Sequence, residues 1–175
     1  MVIHGHLSSE FMDTIIVPLV KDKRGDLSSS DNYRPIAITS IMSKVFELLI
    51  LDRYKSLFHT TCNQFGFKAK HGTEQSIFVM KQVIDFYKCN SSPVYVCYLD
   101  LSKAFDRVDH SILFDKLLKR NLPDIIVRIF RKWYSCQTFV IQWGNALSRS
   151  FNVSNGVRQG GIISKMFFIF FYRWS

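Results

Sequence analysis

Residues 93–110 read PVYVCYLDLSKAFDRVDH, and the reading of that stretch decides the fold. Pro93 to Leu99 is a short, continuous apolar run, the pattern of a strand buried on both faces, and it ends on an acid, Asp100. A carboxylate at a buried strand end can hold a divalent cation such as Mg²⁺, with a neighbouring backbone carbonyl as a second hard ligand. The plainer reading is that it caps the helix that follows. The spacing alone leaves both readings open.

Upstream, Thr14–Val20 (TIIVPLV) reads as a strand, and Pro18 makes it an edge strand or bends it. A polar stretch, KDKRGDLSSSDN, separates it from a second extended segment, YRPIAI at 33–38, so a hairpin is expected over about Thr14 to Ile38. Ser40 caps a helix expected to run to about Phe58, with Ile41, Val45, Leu48, Leu49 and Leu57 as its inner face. Thr73 starts another helix, whose inner stripe is read as Ile77, Met80, Ile84 and Tyr87. Downstream, helices are expected near 110–120 and 123–134, and Thr138–Trp143 is expected to pair with Ser148–Val153 across Gly144–Asn145. NGVRQGG is a tight turn, and ISKMFFIFFY opens a last helix.

The composition agrees with a folded domain: 175 residues, 47% hydrophobic, with 16 Phe that serve mainly as core. Net charge is +9, and residues 125–175 carry Arg128, Arg131, Lys132, Arg149, Arg158, Lys165 and Arg173 with no acid. That excess points to a polyanionic partner. Cys62, Cys89, Cys97 and Cys136 form no C-x-x-C pair and no zinc-ligand spacing, so free thiols in a reducing, intracellular compartment are expected, with nucleus and cytoplasm both open. The apolar run Met166–Tyr172 is far shorter than the roughly 20 residues a spanning helix needs, and no membrane partner is expected.

NYRPIAI, QFGFKAKHGTEQSIF, YLDLSKAFDRVDH and NGVRQGGIIS, in that order, resemble the motif series of reverse transcriptases. The likeness is to those of non-LTR (LINE-type) retrotransposons, with group II intron enzymes as the alternative. The resemblance implies an α/β (α+β) right-hand polymerase fragment: fingers and an incomplete palm with an antiparallel sheet holding Pro93–Asp100. Residues 14–168 form this partial domain, 1–13 an N-terminal flank and 169–175 a divergent end.

The resemblance also implies roles. Asp100 is the first catalytic aspartate, and with the Leu101 carbonyl it ligates Mg²⁺, two ions in the intact family enzyme. Phe105 occupies the sugar-discriminating position, and Ala104 presents its backbone amide to the triphosphate. Gln159 and Gly160 pack near the incoming dNTP. Arg34 clamps the triphosphate through its fork, aided by Lys21. Lys68, Lys70 and Arg158 contact nucleic-acid phosphate. Asp106 is a structural carboxylate. The partners implied are an RNA template, a DNA primer and dNTPs.

The sequence departs from the family pattern in two places. It contains no Asp-Asp pair, and Lys165 follows Ser164 where the family has proline. The expectation is therefore a chain cut before the active site is complete and inactive in isolation, or a catalytically dead nucleic-acid-binding remnant.

Overall fold

The computed structural model describes residues 7–8, 11–58, 60–68 and 70–172. Two compact units emerge, residues 1–58 with 103–175, and residues 59–102.

In the first unit, β1 (Asp13–Val20) pairs antiparallel with β2 (Tyr33–Thr39), from Thr14 opposite Thr39 to Val20 opposite Tyr33. The expected hairpin is present. β3 (Thr138–Trp143) joins the other edge of β1 in parallel, but only along Asp13–Ile16. Pro18 thus lies beyond the β3 pairing, where its missing N–H removes no bond to β3. Gly144, at φ +57°, turns β3 into β4 (Ala146–Leu147), and β5 (Phe151–Asn152) returns to pair with Thr138 and Phe139.

Four helices pack as the core of this unit: α1 (Ile41–Arg53), α3 (His110–Lys119), α4 (Asp124–Cys136) and α5 (Ser164–Tyr172), with α2 (Thr73–Cys89) lying in the second unit. Phe46, Leu113, Phe130, Trp133 and Phe167 form its centre, and Leu7 and Phe11 of the N-terminal flank join them. α5 runs unbroken across residue 168 and buries Ile169 and Phe170.

The expected Ser40 cap is present, and Asp109 caps α3 as well. The Ser40 hydroxyl accepts from the Ser43 amide, and the Asp109 carboxylate accepts from the Ile112 amide. The expected inner face of α1, however, is overturned. Ile41 is 79% exposed and Leu49 61%, and Val45 and Leu48 are exposed too, whereas Leu57, in a short helical turn beyond the helix end at Arg53, packs against the core as expected. Ser43, Phe46, Glu47 and Ile50 face inward instead, because Glu47 is drawn into the core by partners that only the fold supplies.

In the second unit, α2 (Thr73–Cys89) buries no residue; Ile77 and Tyr87 are exposed, and Met80 and Ile84 are half-buried. The buried strand expected at Pro93–Asp100 is also overturned. The segment has no ladder, and Tyr95 and Leu99 are 93% and 91% exposed. A strand apolar on both faces needs a neighbouring strand edge, and the described residues of this unit offer none. The structure is therefore mixed α/β, and its sheet is built by the hairpin and β3–β5.

Candidate functional site

Two of the motifs are joined directly. The Val157 amide donates to the Phe105 carbonyl at 2.9 Å, and the Gly156 amide donates to the Val108 carbonyl at 2.7 Å. His110 Nε2 donates to the Gly156 carbonyl at 2.7 Å, and Asp109 bridges to Asn155. Gly156 sits at φ +91°, and a Cβ there would lie 3.1 Å from the Asp106 carbonyl oxygen. Only glycine lets the two segments approach this closely.

The hairpin closes on the same turn. The Ala37 amide of β2 donates to the Gln159 carbonyl at 2.6 Å. Gly160, at φ +118°, presses on the same residue, since a Cβ would lie 2.7 Å from the Ala37 carbonyl oxygen. Between these segments is a cavity of about 190 Å³, lined among others by Ile16, Pro35, Ala37, Asp106, Gln137 and Gln159. Gln137 is 2% exposed, and its Oε1 has no partner among the described residues.

The remaining expected residues fall in different places. Phe105 stacks on Phe168 with centroids 4.4 Å apart and planes 3° from parallel, so Phe168 covers one ring face. The Ala104 carbonyl accepts from the Tyr172 hydroxyl at 2.9 Å. Arg34 is exposed and alternates with Pro35 and Ala37, so it does not line the cavity. Lys21 is exposed and donates to the Asp31 carbonyl at 2.6 Å. Asp31 also pairs with Lys103 at 2.8 Å; the hydrogen bond from Lys103 holds the Asp31 carboxyl below its ordinary range, and Lys103 is raised in turn.

In the second unit Lys70 is exposed, Lys68 is half-buried and donates to the Thr61 carbonyl, and Asp100 and Leu101 are exposed. The acids there are Glu74, Asp85 and Asp100, and no group of three His, Cys, Asp or Glu converges among the described residues. One carboxylate and one carbonyl do not fit a pair of divalent cations, whose repulsion needs several anionic ligands.

Arg158 requires correction. Its side chain is 1% exposed and pairs with the buried Glu47 at 2.7 Å, with the guanidinium 4.2 Å from the Trp133 ring centre. A group so enclosed is not available to template phosphate. Beside it, burial pushes the Tyr134 phenol up. Glu47 was not singled out from sequence, because a lone Glu on a helix reads as solvated. The one signal for it is the spacing of Ser43, Phe46, Glu47 and Ile50, which shares a face at i, i+3, i+4 and i+7.

Residues 21–174 match the family model described as reverse transcriptase (RNA-dependent DNA polymerase). The chain is 35% identical over 146 residues to a probable RNA-directed DNA polymerase from transposon X-element of Drosophila melanogaster, covering 78% of this chain and 15% of that protein. It is 30% identical to the RNA-directed DNA polymerase from mobile element jockey of Drosophila funebris, covering 81% of the chain and 16% of that protein. It is 24% identical to a retrovirus-related Pol polyprotein from type-1 retrotransposable element R2 of Nasonia vitripennis, covering 94% and 16% respectively. The chain thus spans about one-sixth of the length of these relatives.

Proposed function

Because the chain belongs to the reverse transcriptase (RNA-dependent DNA polymerase) family, in its LINE-type retrotransposon branch, we propose that it forms the fingers and part of the palm of an RNA-directed DNA polymerase. The observation that carries the reading is the cavity where Ala37 of the hairpin, Asp106 and Gln159 meet. Segments from NYRPIAI, YLDLSKAFDRVDH and NGVRQGGIIS, far apart in sequence, line it together.

In this reading the Gln159 amide holds a sugar or phosphate oxygen of the dNTP, and Gly160 lets the backbone come close. The Phe105 ring fills the space that a ribose 2′-hydroxyl would need, so deoxyribose is selected by exclusion. The Ala104 amide is assigned to the triphosphate, and Arg34 and Lys21, exposed outside the cavity, are assigned to the phosphates that extend beyond it, Arg34 by its bidentate fork. Lys68 and Lys70 follow the template backbone, which gives affinity without sequence preference. Asp100 and the Leu101 carbonyl would supply two of the oxygen donors for Mg²⁺ only where further carboxylates join them. A second reading, a nucleic-acid-binding chain without catalysis of its own, is favoured by the single carboxylate at that position.

The test is to join residues 1–163 to the remaining palm and thumb of a related polymerase and to measure primer extension on RNA. The reading expects metal-dependent DNA synthesis that Asp100→Ala abolishes. Synthesis that survives Asp100→Ala would remove Asp100 from the chemistry.

A further inference from the structure

One carboxylate straddles the Gln159–Gly161 stretch. Glu47 Oε1 accepts from Arg158 Nη2 at 2.7 Å, just before that stretch. Its Oε2 accepts from the Ile162 amide at 2.6 Å and the Ile163 amide at 3.3 Å, just after it. The three residues between are therefore closed into a loop whose two ends share a single anchor on α1.

The ion pair at the centre of this arrangement is enclosed. The Glu47 and Arg158 side chains are 0% and 1% exposed, and the guanidinium lies over Trp133 and Tyr134, at 4.2 and 5.5 Å from their ring centres. The Ile162 and Ile163 amides precede α5 and have no helical acceptor of their own, so the carboxylate fills the role of a cap supplied from another helix. The free side of the loop then meets β2, where the Gln159 carbonyl takes the Ala37 amide.

We infer that Glu47 is the positioning residue of the Gln159–Gly160 segment: with Arg158 it fixes the loop backbone before any nucleotide arrives. The inference rests on the reading of Gln159 and Gly160 as nucleotide-facing residues. Burying a charged pair gives little net stability over an apolar pair of similar volume. Its geometric consequence is specific, because a carboxylate that must satisfy both loop ends admits one backbone path. A loop held in one conformation presents its side chains without an ordering cost at binding.

The single variant Glu47→Ala leaves Arg158 buried without a counter-ion and is expected to unfold the chain. The informative variant is the double replacement Glu47→Leu with Arg158→Met, which keeps volume and removes both charges. Amide hydrogen exchange in the full chain is the readout. Protection of Ala37, which reports the bond to Gln159, should fall by about tenfold or more, the scale of a lost charged hydrogen bond. Protection of Phe130, in the helical core, should stay within about twofold of its original value relative to global stability.

Equal losses at Ala37 and Phe130 would make the pair a general core contact and overturn the inference, as would an unchanged Ala37. Calorimetric titration with dATP separates this outcome from the functional reading. Wild-type chain that fails to bind dATP removes the nucleotide role, whereas the exchange result still decides whether Glu47 sets the loop.

Discussion

The Ala37 amide meets the Gln159 carbonyl at 2.6 Å, joining the second strand of the hairpin to a turn 122 positions later in the chain. Gly160 follows directly, and its backbone lies so close to the Ala37 carbonyl that no side chain fits. Local chain geometry does not bring these segments together; the parallel pairing of β1 with β3 and the return of β5 do.

Gly160→Ala is expected to destabilise the chain by about 1–3 kcal/mol, since it combines a left-handed φ with a backbone collision. Gly144→Ala provides the comparison: its φ is +57° and nothing lies within 4 Å of the added carbon. That variant should cost only the conformational penalty, about 1 kcal/mol. Thermal unfolding of both variants gives the order, and equal losses would mean that the Ala37 contact is not made in solution.

Phe105→Val tests the sugar gate in the restored polymerase. The ratio of ribonucleotide to deoxyribonucleotide efficiency should rise by about tenfold or more if the ring blocks the 2′-hydroxyl. The ring also stacks on Phe168, so some stability is lost with it. A lower melting temperature with an unchanged ratio assigns Phe105 to packing alone.

The hairpin, the Ser40 cap, and helices α3, α4 and α5 were legible because each is fixed by local signals: alternation, a capping side chain, a 3.6-residue period. The face of α1 was not. Its apolar residues outnumber what the core accepts, and the deciding residue is Glu47, whose partners lie 111 and 115 positions away. Arg158 was misread for the same reason: a lone Arg beside a glycine turn reads as solvent-facing until the acid that receives it is located. Pro93–Asp100 has the composition of a buried strand, but a strand also needs a neighbour, and composition does not supply one.

The charge pattern leads to a salt prediction. Of the seven cations after residue 124, Arg128 pairs with Asp124, Arg131 with Asp115 and Arg158 with Glu47. The basic excess available to a polyanion is thus smaller than the sequence suggests. RNA–DNA duplex binding should weaken as salt rises, and Lys70→Ala should reduce the logarithmic salt slope by about one. The double replacement Glu47→Leu with Arg158→Met, which strands neither charge, should leave that slope unchanged. A loss of slope in that double variant, with the fold retained, would place Arg158 on nucleic acid after all.

Asp31 gives a pH prediction. Its carboxyl is held below the ordinary range first by the hydrogen bond from Lys103 and then by that residue's charge. The pair's contribution is therefore complete above the ordinary carboxylate range and disappears as pH falls through the lowered Asp31 value. At the other end it disappears as pH rises through the raised Lys103 value. The pair is exposed, so the effect on stability is small. NMR titration of the Asp31 carboxyl should show its midpoint return upward in Lys103→Ala, and an unmoved midpoint would mean that the ion pair is not populated.

The claim that the Ala37–Asp106–Gln159 cavity receives the nucleotide is tested most directly by titrating the isotope-labelled chain with dATP and following backbone amide shifts. The account predicts saturable changes grouped at Ala37, Asp106, Gly156 and Gln159. Changes confined to the cleft between His110, Asp115 and Arg131, or no changes at all, would contradict it.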